Sequence, residues 1–434
     1  MARIKRLDRI GSTQEIPYTR TLANVKEQKW IADRFYRLMG RQAFFWSNPR
    51  EDLGGAIHRG SNYFDIIQTG ERIASIEMAP KQNIRTAKML ERLATKQEEA
   101  RHFETSCEYY YRACLFYASA AWGIFDSDNE ELIWLNEKIR TTFDKMIKYN
   151  KNRMERVEIP FDGKSLSGIL ALNRTGEKAP TIILLPGMDS QKETIINHLN
   201  NPFVSRGMNT LSLDGPGQGE SLTRKIWVDA DNHARAGKAA IDYLLKRPEV
   251  DPDKIGMFGV SMGTYWVPLV AINDDRVKAL ATAASCYYNK DHIFNEESPN
   301  FRLRFMWMAG NLDDEQFDKL AAKMTLEGQE TKIRCPCIIF HGEVDHLTTT
   351  YETYRYFDRL GSEVKELRIY ESQYHSIARF SDEVQAMSAD WLRDRLNGVP
   401  VAQKRRIVFV DSNKQEHAVD EKSLAAGFSD IRAD

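Results

Sequence analysis

A serine, an aspartate and a histidine stand at three points of this chain from which they could act together. Ser261 lies in Gly259-Val260-Ser261-Met262-Gly263, Asp345 in His341-Gly342-Glu343-Val344-Asp345-His346, and His375 in Glu371-Ser372-Gln373-Tyr374-His375-Ser376. A serine hydroxyl is a weak nucleophile at neutral pH and needs an adjacent base, itself oriented by an acid. Serine within G-x-S-x-G, between a strand and a helix, sits on a tight turn with its oxygen directed away from the sheet. The flanking glycines keep side chains out of the space where strand and helix approach. In an open sheet the partners should follow in the order acid then histidine, each just past a strand's C-terminal end. Asp345 and His375 meet that order, and the chemistry is attack of a hydroxyl on a carbonyl carbon.

Other residues compete for these roles. Glu343 could replace Asp345 as the orienting acid. His346 adjoins Asp345, but neighbours on a turn point apart, so it reads as a solvent-facing or supporting residue. His341, at a strand's end, reads as a structural histidine. His198 and His292 fall in a loop or helical region with no strand-end context, and His58, His102, His233 and His417 show no metal-ligand spacing, so neither a metal nor a cofactor is expected. An oxyanion site needs backbone N–H groups. Met262, at the N-terminus of the helix after Ser261, supplies one. Pro186-Gly187-Met188-Asp189-Ser190 follows the first long parallel strand. Pro186 cannot donate, Gly187 lets the chain turn close to the serine, and Met188 supplies the second N–H. Asp189, Lys192 and Glu193 read as capping or packing residues at the start of a following helix. The loop Asp214-Gly215-Pro216-Gly217-Gln218-Gly219 has the wrong glycine spacing for a dinucleotide site and reads as a tight connection near the active site.

The elements that must position these residues follow from periodicity. Residues 151–398 begin with a hairpin, Arg153 to Pro160 and Ser167 to Leu172, around Asp162-Gly163-Lys164. Strands are expected at Thr181–Leu185, Met208–Leu213, Lys254–Phe258, Val277–Ala284, Cys337–Phe340 and Lys365–Tyr370, with helical stretches between them. An antiparallel entry followed by alternating strands and helices means an α/β fold, a mostly parallel sheet covered on both faces. Residues 1–150 are helical after a weakly structured lead: Ile31, Phe35 and Leu38 share one face, as do Leu132, Leu135, Ile139, Phe143 and Met146. Between them runs an aromatic stretch, Phe103, Tyr109, Tyr110, Tyr111, Phe116, Tyr117 and Trp122. These rings read as a helical core, or in part as a wall for a flat substrate. Residues 287–331 are too long for a plain connection and read as a helical excursion over the C-terminal edge of the sheet. The tail, 399–434, contains Arg406–Val410, an extra strand or a contact with another subunit.

Composition sets outer bounds. The 434 residues are 42% hydrophobic and carry a net charge of −1, which gives no global attraction to nucleic acid or to an anionic membrane. The five cysteines have no framework spacing and read as thiols in a reducing compartment. With no apolar run long enough to span a bilayer and no secretory leader, the expected location is cytoplasmic.

With these residues in place, the chain resembles the α/β-hydrolase superfamily over roughly Arg153 to Leu396. The carriers are Leu-Leu-Pro-Gly-Met-Asp, Asp-Gly-Pro-Gly-Gln-Gly, Gly-Val-Ser-Met-Gly, His-Gly-Glu-Val-Asp and Tyr-His-Ser. The helical N-terminal part and Ser106-Cys107-Glu108-Tyr109-Tyr110-Tyr111-Arg112-Ala113 look like a smaller group. It includes 2,6-dihydroxypseudooxynicotine hydrolase and fungal hydrolases that shorten polyketide pigment precursors. That resemblance implies a helical cap ahead of an α/β-hydrolase domain and a small-molecule substrate, with a homodimer as the assembly. It also implies Ser261 as nucleophile with Asp345 and His375 as partners, cleaving a carbon–carbon bond next to a ketone, or an ester. Pro186-Gly187, where many members have His-Gly, departs from the pattern. The alternative from another class is a catalytically silent protein of this fold that binds a ligand or partner.

Overall fold

The computed structural model describes residues 57–73, 78–288, 290–297 and 299–419. The face formed by Ile31, Phe35 and Leu38 lies outside the described residues. Among the described residues four helices precede the sheet: α1 (Tyr63–Gly70), α2 (Met78–Glu99), α3 (Phe103–Ala121) and α4 (Glu130–Tyr149). The side chain of Asn62 caps α1 and that of Asn129 caps α4, each accepting two N–H groups of the first turn. On α4 the expected stripe, Leu132, Leu135, Ile139, Phe143 and Met146, is buried. The aromatic stretch divides. Tyr110, Tyr111, Phe116 and Tyr117 are buried in the helical core, whereas Phe103 and Trp122 are exposed at the two ends of α3.

Among the described residues ten strands make one sheet in the order β1-β2-β4-β3-β5-β6-β7-β8-β9-β10. The entry hairpin, β1 (Met154–Phe161) and β2 (Lys164–Ala171), is antiparallel around Asp162-Gly163, and β2 lies antiparallel to β4 (Asn209–Leu213). From β4 through β3 (Ala179–Leu185), β5 (Val250–Val260), β6 (Val277–Ala283), β7 (Cys337–Gly342), β8 (Lys365–Tyr370) and β9 (Arg405–Val410) every pairing is parallel. The short β10 (Glu416–Ala418) closes that edge antiparallel to β9. Residues 405–410 of the tail are therefore a strand of this same sheet.

Successive residues of β3 serve opposite faces, as the pleat requires. Ile183 and Leu185 pack with α6 (Asn232–Leu244) and α7 (Gly263–Asn273). Ile182 and Leu184 pack with α11 (Ser381–Leu396) on the other side. The excursion after β6 holds α8 (Pro299–Met308) and α9 (Asp314–Ala321), and α10 (Thr350–Arg359) links β7 to β8. A short α5 (Glu220–Thr223) follows β4.

The helix expected after Pro186-Gly187 does not form. The chain runs in turns from 188 to 203 and makes a single 3-10 turn at Val204–Arg206. Side chains outcompete the helix for its backbone donors. Asn197 accepts Leu199 and Asn200 N–H, Asn201 accepts Phe203 and Val204 N–H, and Asp214 accepts Lys192 N–H at 2.8 Å. Lys192 and Glu193 are accordingly not capping residues at a helix start but members of a buried charge cluster. Lys192 Nζ lies 2.7 Å from Asp214, 2.9 Å from Glu220 and 3.0 Å from Glu193. Burial alone would lower the Lys192 pKa, but these carboxylates hold its ammonium well above the ordinary lysine value. Arg156 on β1 extends the cluster to Glu193, Glu220 and Asp144 of α4. Beside it Tyr111 of α3 donates its hydroxyl proton to Ile196 O at 2.9 Å, so the helices grip the same loop twice.

Removing the ammonium should leave buried carboxylates uncompensated. Lys192→Met is expected to cost about 3–5 kcal/mol, read as a lower urea midpoint at unchanged slope. An unshifted midpoint would contradict this account of the cluster.

Candidate active site

The order β4-β3-β5 places a topological switch between β3 and β5. The connection after β3 runs to one side and the next strand is laid on the other, so the loops leaving their C-terminal ends diverge around a crevice. Ser261 is the first residue past β5, with φ +55°, a left-handed conformation that costs a non-glycine residue about 1–3 kcal/mol. It is held there by its neighbours. Its N–H donates to Ala283 O at 3.0 Å, and its carbonyl accepts from Thr264 N–H and Thr264 Oγ1, both at 2.7 Å. A Cβ on Gly263 would overlap the Leu185 carbonyl at the end of β3. One on Gly187 would lie 2.8 Å from Ser261 Cβ. These two glycines let the strand, the turn and the β3 loop share one small volume.

Asp345 follows β7 and is buried. Its Oδ1 accepts Leu347 N–H at 2.8 Å and Thr348 N–H at 3.3 Å. His375 follows β8 and turns its ring between the other two residues. Nδ1 is 2.8 Å from Asp345 Oδ2, and Nε2 is 2.9 Å from Ser261 Oγ. An ionised carboxylate only accepts, so Nδ1 carries the proton and Nε2 is left to accept from the serine hydroxyl. Burial would raise the Asp345 pKa, but the His375 ring and the hydrogen bonds around it hold the carboxyl below its ordinary value. Side chains predicted from three distant loops are thus brought into one hydrogen-bonded chain.

The competing residues go elsewhere. Glu343 accepts Ser372 N–H at 2.7 Å and buttresses the loop that carries His375. His341 is buried between the Thr350 and Thr353 hydroxyls, each at 3.2 Å. His346 is half-buried, its ring centroid 6.2 Å from that of Tyr374. His292 Nε2 donates to His346 O at 2.8 Å, His233 stacks on Trp266, and His58 pairs with Asp382. Among the described residues no group of three or more His, Cys, Asp or Glu could hold a metal ion, and no helix is long and apolar enough to cross a membrane.

Met188 follows Gly187 directly and is buried, and Met262 begins the turn into α7. Neither backbone N–H has an acceptor among the described residues. Sequence reasoning missed what surrounds Met188. Asp189 does not cap a helix. It accepts the indole N–H of Trp122 at 3.0 Å and lies 3.3 Å from Arg304 of α8. Arg304 also donates to Met188 O at 3.0 Å and Trp122 O at 2.7 Å, with its guanidinium over the Trp122, Phe125 and Trp307 rings. The end of α3, the excursion and the β3 loop therefore meet at one arginine. No local pattern marks such a residue, because its hydrogen-bond acceptors lie more than a hundred positions away in sequence.

Comparison with known proteins bears on the fold. Residues 198–399 match the prolyl oligopeptidase family. The chain is 25% identical over 244 residues to 2,6-dihydropseudooxynicotine hydrolase of Paenarthrobacter nicotinovorans, covering 56% of this chain and 65% of that protein. It is 32% identical to hydrolase LUC6 of a Fusarium species, covering 39% and 43%. Esterase FrsA of Vibrio cholerae matches at 24% identity over 43% of this chain and 44% of its own. The chain thus spans less than two thirds of the length of each of these relatives. The crystal structure of 2,6-dihydroxy-pseudo-oxynicotine hydrolase superposes with a TM-score of 0.71 at 22% identity, covering 81% of this chain and 97% of that one. The shared fold is that of the α/β-hydrolases.

Two outcomes follow for stability. Gly263→Ala forces a methyl group into the Leu185 carbonyl and should lower unfolding free energy by about 1–3 kcal/mol, measured by thermal or urea unfolding; a neutral result would mean that the turn has slack. Three buried histidines set the acid response. Burial pushes His198 and His341 down to about 4 and His233 to about 3, below the ordinary 6.5. Because these folded values are depressed, the unfolded chain binds protons first as pH falls. Stability should therefore decline from about pH 6.5 towards pH 4, by a total on the order of several kcal/mol. A urea midpoint that stays flat across that range would refute it.

Proposed function

We propose that this chain, an α/β-hydrolase in fold with residues 198–399 matching the prolyl oligopeptidase family, is a cofactor-independent serine hydrolase. Its substrate on this reading is a small carbonyl compound, cleaved at a carboxylic ester or at a carbon–carbon bond beside a ketone. The observation that carries the reading is the chain of contacts at 2.8 and 2.9 Å from Asp345 through His375 to Ser261. Relatives named as hydrolases and an esterase support it.

In this reading Ser261 Oγ adds to the carbonyl carbon as His375 Nε2 takes its proton. Asp345 keeps the ring in the tautomer that can accept that proton and stabilises the imidazolium that results. The N–H groups of Met188 and Met262 hold the developing oxyanion. His375 then passes the proton to the leaving group, and a water molecule activated by the same nitrogen releases the acyl group from Ser261. For an ester the leaving group is an alcohol. For a carbon–carbon bond it is a carbanion, which must be stabilised as an enolate or by an electron-poor ring. The helices before residue 151 act as a cap, with Trp122 as the ring that reaches the rim beside the β3 loop.

Ser261→Ala should lower turnover of an activated ester by about five or more powers of ten. A fluorophosphonate should modify the unaltered protein at Ser261 and leave the variant unmodified. Undiminished hydrolysis by Ser261→Ala would refute the assignment.

A further inference from the structure

The loop Asp214–Gly219, read from sequence as a tight connection, directs one side chain at the loop that follows β3. Gln218 is 2% exposed. Its Nε2 donates to both Pro186 O and Gly187 O at 2.9 Å, and its Oε1 accepts Gly215 N–H at 3.1 Å. The carbonyl of Gly187 and the N–H of Met188 are opposite ends of one rigid peptide plane. Fixing the first fixes the direction of the second. We infer that Gln218 is the positioning residue of the oxyanion site: by gripping Gly187 O it holds Met188 N–H towards Ser261. The inference rests on the serine-hydrolase reading above.

The need for such a grip follows from Gly187 itself. A glycine is required there because any Cβ would meet Ser261. Glycine is also the residue least able to hold its own backbone torsions. Left to itself, the Gly187–Met188 peptide could turn over and present a carbonyl oxygen to the developing oxyanion, replacing attraction by repulsion. Bonds on every side oppose this. Gly187 N–H donates to Ser190 Oγ at 3.1 Å, Arg304 Nε donates to Met188 O at 3.0 Å, and Gln218 takes the two carbonyls between. Gln218 is itself well anchored. Its own N–H donates to Gly215 O at 3.1 Å, and His233 donates to Pro216 O at 3.0 Å while its ring stacks on Trp266 of α7 at 4.0 Å. The clamp and the helix behind Ser261 are therefore parts of one packed unit.

The test compares the full chain with Gln218→Met and Gln218→Glu, using p-nitrophenyl esters for turnover and a fluorophosphonate to count reactive sites. Turnover per labelled site should fall about ten- to a hundredfold, somewhat less than the loss of an oxyanion donor outright. KM should change less than about threefold, and the affinity for a trifluoromethyl ketone, which forms a tetrahedral adduct, should fall in step with kcat/KM. A merely structural glutamine would lower the number of labelled sites and leave turnover per site within about twofold of the unaltered protein; that result, or failure of both variants to fold, would overturn the inference. If the unaltered protein gave no adduct at Ser261, the hydrolase reading would fall and this inference with it. A labelled protein with unchanged variants would overturn the clamp alone.

Discussion

Everything at this site depends on how closely two backbone segments approach at the ends of β3 and β5. The last carbonyl of β3 faces Gly263, and the next glycine along, Gly187, faces the β-carbon of Ser261. There is no room for a side chain between them. That crowding accompanies the left-handed conformation of Ser261 and keeps the β3 loop at Gly187 against it, so the serine and the loop beside it are set by one packing event. The histidine and aspartate are then delivered by strands further along the same parallel sheet, whose register decides where each loop begins.

Around this centre the molecule uses buried polar groups where an apolar core would have been simpler. Lys192, Glu193, Asp214, Glu220 and Arg156 form a charge cluster that joins the entry hairpin, the β3 loop and the β4 loop, and reaches α4 through Asp144. Such clusters add little net stability over apolar packing, but each member tolerates only a narrow geometry. Here the constrained segment is the one between Met188 and His198. The same segment receives Tyr111 of α3, and the Tyr111 and Phe143 rings stand edge-on to His198. The N-terminal helices thus bear on the loop that borders the serine.

Much of this was legible in the sequence, and the part that was not has a physical reason. The strands announced themselves because parallel strands buried on both faces are short apolar runs, as at Ile182–Leu185 and Ile338–Phe340. Ser261, Asp345 and His375 were legible because strand ends are fixed in chain order, so position alone selects candidates. The stretch after Gly187 was misjudged because its charges suggest a helix start, whereas their partners, Asp214 and Glu220, lie more than twenty residues on and turn them inward. Arg304 and Gln218 were invisible for the same cause. A lone polar residue shows its purpose only through acceptors supplied by other loops. The strand at Arg405–Val410 could be read as a strand, but not as a partner of β8, since pairing leaves no trace in one isolated segment.

The two borders of the sheet carry a consequence for how copies of this molecule meet. Among the described residues, β1 on one side carries Glu155, Arg156 and Glu158 among apolar residues and includes Pro160, which offers no N–H. On the other, β10 is three residues long. Borders of that kind are poor templates for a neighbouring chain's strand, because charge, a missing donor or sheer brevity interrupts the ladder. A sheet this wide would otherwise invite stacking into fibrils through edge addition. Crowded solutions of the protein are thereby steered towards contacts between side-chain surfaces and away from shared backbone ladders.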